Sequence, residues 1–168
     1  MYASYGLAVV GDVDGDGYDD VLVGAHGSGV PGQAALFLGS AGVTSRTFDQ
    51  ADAMFEGADE DHAGYAVAGS GDINRDGFDD LLIGAYGNSD NGPGAGAVHL
   101  ILGAPNLAGC VLTEADSTLL GENSGDSAGA AVAGAGDTNG DGVPDLLVGA
   151  FGRDSHAGAA YLVLGVSE

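Results

Sequence analysis

Acidic and amide side chains recur at every second residue in three stretches of the chain. The first carries Asp12, Asp14, Asp16 and then Asp20. The second carries Asp72, Asn74, Asp76 and Asp80, and the third Asp137, Asn139, Asp141 and Asp145. Oxygen donors at loop positions 1, 3 and 5, each set followed by Gly17, Gly77 or Gly142, let the backbone curl around one ion. Glycine supplies the positive φ that such a curl demands. A hard cation collecting six to eight oxygens at about 2.3–2.6 Å would take these side chains and a position-7 backbone carbonyl. That carbonyl belongs to Tyr18, Phe78 or Val143. Calcium is the natural occupant, because magnesium demands a stricter octahedron and keeps more of its water. One Ca2+ per loop, about three per chain, is the expectation.

An EF-hand loop opens in the same way, but it closes with a bidentate Glu at position 12 between two helices. Here position 12 holds Val23, Ile83 and Val148, and the flanks read as strands. The EF-hand is excluded, and the Asp at position 9 becomes the closing ligand. A single such stretch would only mark a turn, where Asp, Asn and Gly are common anyway. Three copies at one spacing assign the side chains to metal. Asp19 and Asp79 alternate with the ligands, and Pro144 replaces them in the third copy, so they fall outside the ligand set.

The elements that must hold these loops repeat with them. GDVDGDGYDDVLVGAHG begins at Gly11, GDINRDGFDDLLIGAYG at Gly71 and GDTNGDGVPDLLVGAFG at Gly136, offsets of 60 and 65 residues. An apolar run ending in glycine follows each copy: AALFLG, VHLILG and AYLVLG. HAGYAVAGSGD and SAGAAVAGAGD precede the second and third copies, whereas the matching YGLAVVGD of the first is shorter. AMFEG and TLLGE link one copy to the next. These segments are short, rich in Val, Leu, Ile and small residues, and bounded by Gly, Asp and Asn, which reads as β-strands. Residues 40–53 and 104–117 read as connections. Each repeat is thus a meander of about four strands, and such units in series are propeller blades that bury their faces against neighbouring blades. The expected fold is all-β, a single β-propeller domain over 1–168. Its blades fall at about 1–57, 58–122 and 123–168, the last lacking its fourth strand.

Composition narrows the function. The 168 residues include 33 Gly, against which long helices are implausible, because each interior Gly costs a helix about 1 kcal/mol. There are 25 Asp and Glu against three Arg and no Lys, a formal charge of -22. No nucleic-acid footprint exists in such a chain, and anionic lipid would repel it. No segment has the about 20 apolar residues needed to span a bilayer, so no membrane insertion is expected. Lone Cys110 forms no intrachain disulfide and has no base beside it to make it a nucleophile. A Lys-dependent phosphate loop is impossible, and no G-x-S-x-G elbow occurs. His26 takes the repeat position of Tyr86 and Phe151, which indicates packing. With the carboxylates committed to metal, no catalytic residues are assigned and the chain is expected not to be an enzyme.

The frame YG…GDVDGDGYDDVLVGA, repeated as GYAVAGSGDINRDGFDDLLIGA and GAAVAGAGDTNGDGVPDLLVGA, resembles the FG-GAP repeats of integrin α-subunit propellers and their bacterial relatives. Tyr5-Gly6 stands for Phe-Gly, and Gly24-Ala25, Gly84-Ala85 and Gly149-Ala150 stand for Gly-Ala of the motif. The next residue departs from Pro in every copy. The resemblance implies calcium in the loop joining the first two strands of each blade, and a binding or adhesion role outside the cell or at its surface. The partner would be an unidentified protein or glycan. A lectin propeller and an accessory domain of a larger secreted enzyme are the alternatives. The family's ring usually has seven blades. Three imply either part of a longer propeller or self-association, most simply a homodimer completing a ring.

Overall fold

The computed structural model describes residues 2–27 and 31–165. Among the described residues, eleven strands form three antiparallel sheets, each a meander in chain order. Blade 1 comprises β1 (Tyr2–Gly11), β2 (Asp20–His26), β3 (Gln33–Phe37) and β4 (Ala53–Glu56). Blade 2 comprises β5 (Ala66–Gly71), β6 (Asp80–Ala85), β7 (Ala97–Ile101) and β8 (Ser117–Leu120). Blade 3 has β9 (Ala128–Gly136), β10 (Asp145–Ala150) and β11 (Ala159–Val163), with the single-turn helix α1 (Arg153–His156) before its last strand. These are propeller blades, and the described residues do not close a ring. β1 is not the shortened strand that its sequence suggests. It begins at Tyr2 and pairs with β2 out to His26, crossing an irregularity between Ala3 and Leu7 that absorbs the missing alignment.

Register repeats from blade to blade. Leu22 faces Leu36, Leu82 faces Leu100, and Leu147 faces Leu162 across their strand pairs. Burial does not repeat in the same way. Every residue of β6 is buried, whereas Val21 of β2 and Leu147 of β10 are exposed. The reason is position: blade 2 has a neighbour on both faces, and each outer blade has one. One apolar core joins blades 1 and 2 around Leu22, Leu36, Phe55, Leu81, Ile83 and Leu112. A second joins blades 2 and 3 around Leu82, Val98, Leu146 and Val148.

Glycine permits the blades to approach this closely. A Cβ on Gly24 would stand 1.9 Å from the Gly64 carbonyl oxygen, and one on Gly84 2.1 Å from that of Gly129. The connection between the third and fourth strands is also reproduced. The Leu38 N–H donates to the Asp52 carboxylate, and the Leu102 N–H to that of Asp116, each at 2.8 Å. Each connection then makes a 3-10 turn, Phe48–Gln50 or Leu112–Glu114. Leu112 is buried against blade 1, while its counterpart Phe48 lies half-buried on the open face of blade 1.

The second strands point away from the acidic loops, and their far ends gather an aromatic cluster. His62 stacks on Tyr86 with ring centres 4.8 Å apart, and Tyr65 meets His26 and Tyr86 edge-on at 5.2 and 4.7 Å. His62 also bonds the Gly27 carbonyl through Nδ1 at 2.7 Å. His26, at the Tyr86 and Phe151 repeat position, packs as an aromatic ring.

Candidate metal centres

Each acidic loop joins the first two strands of its blade and is wound by its own side chains. In the first loop, Asp12 accepts the N–H groups of Gly15 (2.7 Å), Asp16 (3.0 Å) and Gly17 (2.9 Å). Asp14 accepts from Asp16 at 3.1 Å, and Asp16 from Tyr18 at 2.9 Å. Loop two repeats the pattern: Asp72 accepts from Asp76 and Gly77, Asn74 from Asp76, and Asp76 from Phe78. Loop three repeats it with Asp137, Asn139, Asp141 and Val143. Such side-chain-to-backbone bonds make each loop a series of Asx turns. Left-handed glycines close the curl, with φ of 89°, 96° and 84° at Gly17, Gly77 and Gly142.

Position 9 does more than the spacing suggests. Asp20 is fully buried and accepts the Val13 N–H at 2.8 Å and the Gly39 N–H at 2.7 Å. Asp80 does the same with Ile73 (2.7 Å) and Gly103 (2.8 Å). Asp145 accepts from Thr138 N–H (2.8 Å), the Thr138 hydroxyl and Gly165 N–H (2.9 Å). Each of these carboxylates therefore ties the loop to the end of the third strand. The signal was present in the sequence, since the glycine ending each apolar run is the partner. Asp79 has a role that spacing could not reveal: its carboxylate accepts the Asp12 N–H from the neighbouring blade at 3.0 Å.

The carboxylates converge most fully in loop one. One ligand atom each from Asp12, Asp14 and Asp20 lies within 4.8 Å of the others, the only such set of three among the described residues. Asp16 stands outside this set. Loops two and three carry an amide at position 3, and Asn74 and Asn139 donate their amide N–H groups to Asp76 and Asp141 at 2.8 Å. The donor set is entirely oxygen and fits a hard divalent cation.

Burial dominates the electrostatics. It raises the Asp20 carboxyl above its ordinary range, opposed by the two backbone N–H groups and reinforced by the charges of Asp14 and Asp12. Asp80 is pushed up to about 6 for the same reasons. The Thr138 hydroxyl holds Asp145 below the usual range.

These raised values predict how the metal-free protein responds to pH. A carboxyl whose folded pKa exceeds its unfolded one binds more protons when folded, so stability falls as pH rises between the two. For Asp80 that window runs from about 4 to about 6. Metal-free protein should therefore melt progressively lower as pH climbs through this window. Asp80→Asn should flatten the slope, as followed by circular dichroism melts. An unchanged slope in the variant would remove Asp80 as the cause.

Comparison with known proteins identifies the repeated unit. A family profile described as FG-GAP repeat matches residues 4–42, 63–106 and 128–163. The chain belongs to the FG-GAP repeat family. Integrin alpha-IIb of Mus musculus is 34% identical over 171 residues, covering 93% of this chain and 15% of the integrin. Integrin alpha-5 of Xenopus laevis is 31% identical over 169 residues, covering 92% and 15%. Phosphatidylinositol-glycan-specific phospholipase D of Bos taurus is 35% identical over 142 residues, covering 79% and 17%. The chain thus spans less than a fifth of the length of these curated relatives. It is an integrin-like FG-GAP propeller module. No helix among the described residues is long and apolar enough to cross a membrane.

Proposed function

We propose that this FG-GAP module is a calcium-loaded, non-catalytic propeller that serves protein binding or adhesion outside the cell or at its surface. The convergence of Asp12, Asp14 and Asp20 on one point carries the calcium reading. The cation would be held by positions 1, 3, 5 and 9 and the position-7 carbonyl of each loop, Asp20, Asp80 and Asp145 also fixing the strand geometry. Its charge would offset carboxylate repulsion that otherwise opposes closing each loop. The integrin relatives support the adhesion role. The phospholipase relative supports the alternative of an accessory domain within a larger enzyme. Among the described residues no feature favours the carbohydrate-binding alternative over these two.

Calorimetric titration of calcium into metal-free protein tests the reading. Three sites are expected, the first tightest because it has four carboxylates, Asp12, Asp14, Asp16 and Asp20, where the others have three. Asp14→Ala should abolish the tightest class and leave two sites. Heats no larger than buffer dilution would end the calcium reading. Metal-independent hydrolysis of esters, phosphodiesters or glycosides would end the non-catalytic one.

Self-association belongs to the same proposal. The open face of blade 3 presents Leu147 and Leu162, the repeat counterparts of Leu82 and Leu100. The open face of blade 1 presents Val21, Leu7 and half-buried Phe48. These are the two halves of a blade junction, so blade 3 of one copy fits blade 1 of another. Light scattering with calcium present should report a dimer or larger species at micromolar concentration, and a strict monomer would refute the assembly.

A further inference from the structure

Beside the junction of blades 1 and 2 lies a cavity of about 200 Å3 that the calcium loops do not use. Asp61, Asn88, Asp90, His99, Leu112 and Thr118 line it. His99 is only 3% exposed, and its Nε2 has no hydrogen-bond partner. Its Nδ1 lies 3.0 Å from the Thr118 hydroxyl. Burial lowers the His99 pKa and keeps the ring neutral, against the raising influence of Asp61 and Asp90. The lining then offers two carboxylates and a neutral imidazole. The Asn88 amide, 3.2 Å from Asp61 and 3.3 Å from Asp90, is the donor between the carboxylates. Two carboxylates that share one amide leave the cavity rich in acceptors, which suits a donor.

The next blade shows which donor fits. Asp126 is the counterpart of Asp61: each accepts an N–H three residues back, from Asn123 or Ala58, and each carbonyl receives the N–H of a glycine, Gly152 or Gly87, at 3.0 Å. The residue after that glycine is Arg153 in blade 3 and Asn88 in blade 2. Tyr161 faces Val148 as His99 faces Ile83, so these two are counterparts as well. In blade 3 the guanidinium of Arg153 fills the position, reaching Asp126 at 3.4 Å, the Tyr161 hydroxyl at 2.6 Å and the Glu122 carboxylate. Blade 2 keeps the carboxylate, replaces Tyr161 by His99, whose Nε2 has no partner, adds Asp90 and lacks the cation. A bare metal ion is the poorer fit, because no three His, Cys, Asp or Glu ligand atoms here lie within 4.8 Å of one another.

We propose that this cavity binds an organic cation, a guanidinium or primary ammonium group, in the position that Arg153 fills for the following blade. Methylguanidinium and butylammonium, titrated into the calcium-saturated chain, should each bind at one saturable site with millimolar affinity and shift the His99 ring resonances. Blocked arginine amide is the second arm. Its binding identifies a partner's side chain as the source, and its exclusion identifies a free small cation. Asn88→Arg supplies the cation from within, so it should abolish binding and raise the melting temperature. Asp90→Asn, whose side chain bonds only Asn88, should weaken binding at least tenfold without loss of fold. Absence of saturable binding, or affinity unchanged in both variants, would overturn the proposal.

Discussion

Removing calcium should lower the melting temperature by about 15–30 °C. Each ion bound at about 100 times its dissociation constant adds about 2.7 kcal/mol to the folded state. Three sites therefore contribute about 8 kcal/mol, and a domain of this size shifts by about 2–4 °C per kcal/mol. The metal-free loops also hold buried Asp20 and Asp80 without a counter-charge, and Asp80 sits at about 6 in that state. Magnesium should restore only part of the loss, since its stricter octahedron suits these flexible oxygen donors poorly. Scanning calorimetry with chelator, with calcium and with magnesium gives the comparison. Coincident melts under all three conditions would show that the loops close without metal.

The second large effect concerns the glycine that opens each Gly-Ala pair. Gly84→Ala should cost about 3 kcal/mol or more, at the upper end of overpacking penalties. The new Cβ would stand 2.1 Å from the Gly129 carbonyl oxygen, and a backbone atom of a neighbouring blade cannot swing aside. Gly149→Ala is the control. Its Cβ would meet nothing nearer than the Ala131 methyl at 3.2 Å, because no further blade packs there among the described residues. That variant should stay within about 1 kcal/mol of the parent, helped by the reduced entropy of its unfolded chain. Denaturant unfolding of both variants, at a concentration where the chain is monomeric, separates them. A harmless Gly84→Ala would contradict the blade spacing. An equal penalty at Gly149 would place another blade against blade 3.

The strands and loops were legible because their causes are local. Alternating apolar residues, the spacing of Asp12, Asp14 and Asp16, and the glycine after them act within one turn of chain, and three copies separate pattern from coincidence. Contacts between blades left weaker traces. Asp79 bonds a backbone N–H 67 residues away, and nothing in DGFDD distinguishes it from a solvated carboxylate. Asp20 reads as a ligand, and the glycine that ends the apolar run marks its partner Gly39, but the pairing of β3 with β2 is what joins the two. His99 reads as a strand residue, and the cavity it lines takes Asp61 and Asn88 from two other segments. The full length of β1 was hidden by its irregular pairing, which lets a strand continue where an aligned repeat would stop.

The complete burial of β6 beside half-wet β2 and β10 bears on how such a chain grows by duplication. The inherited unit is a sequence of about 60 residues, but the unit that gains stability is the seam between two copies. A lone copy would leave both faces of its sheet in water and has no reason to fold. A second copy creates one dry seam, and a third turns its middle member dry on both sides. Lengthening the array is therefore rewarded at every step, whereas excising an interior copy destroys two seams and restores one. Selection on such genes favours expansion over loss until the ends meet.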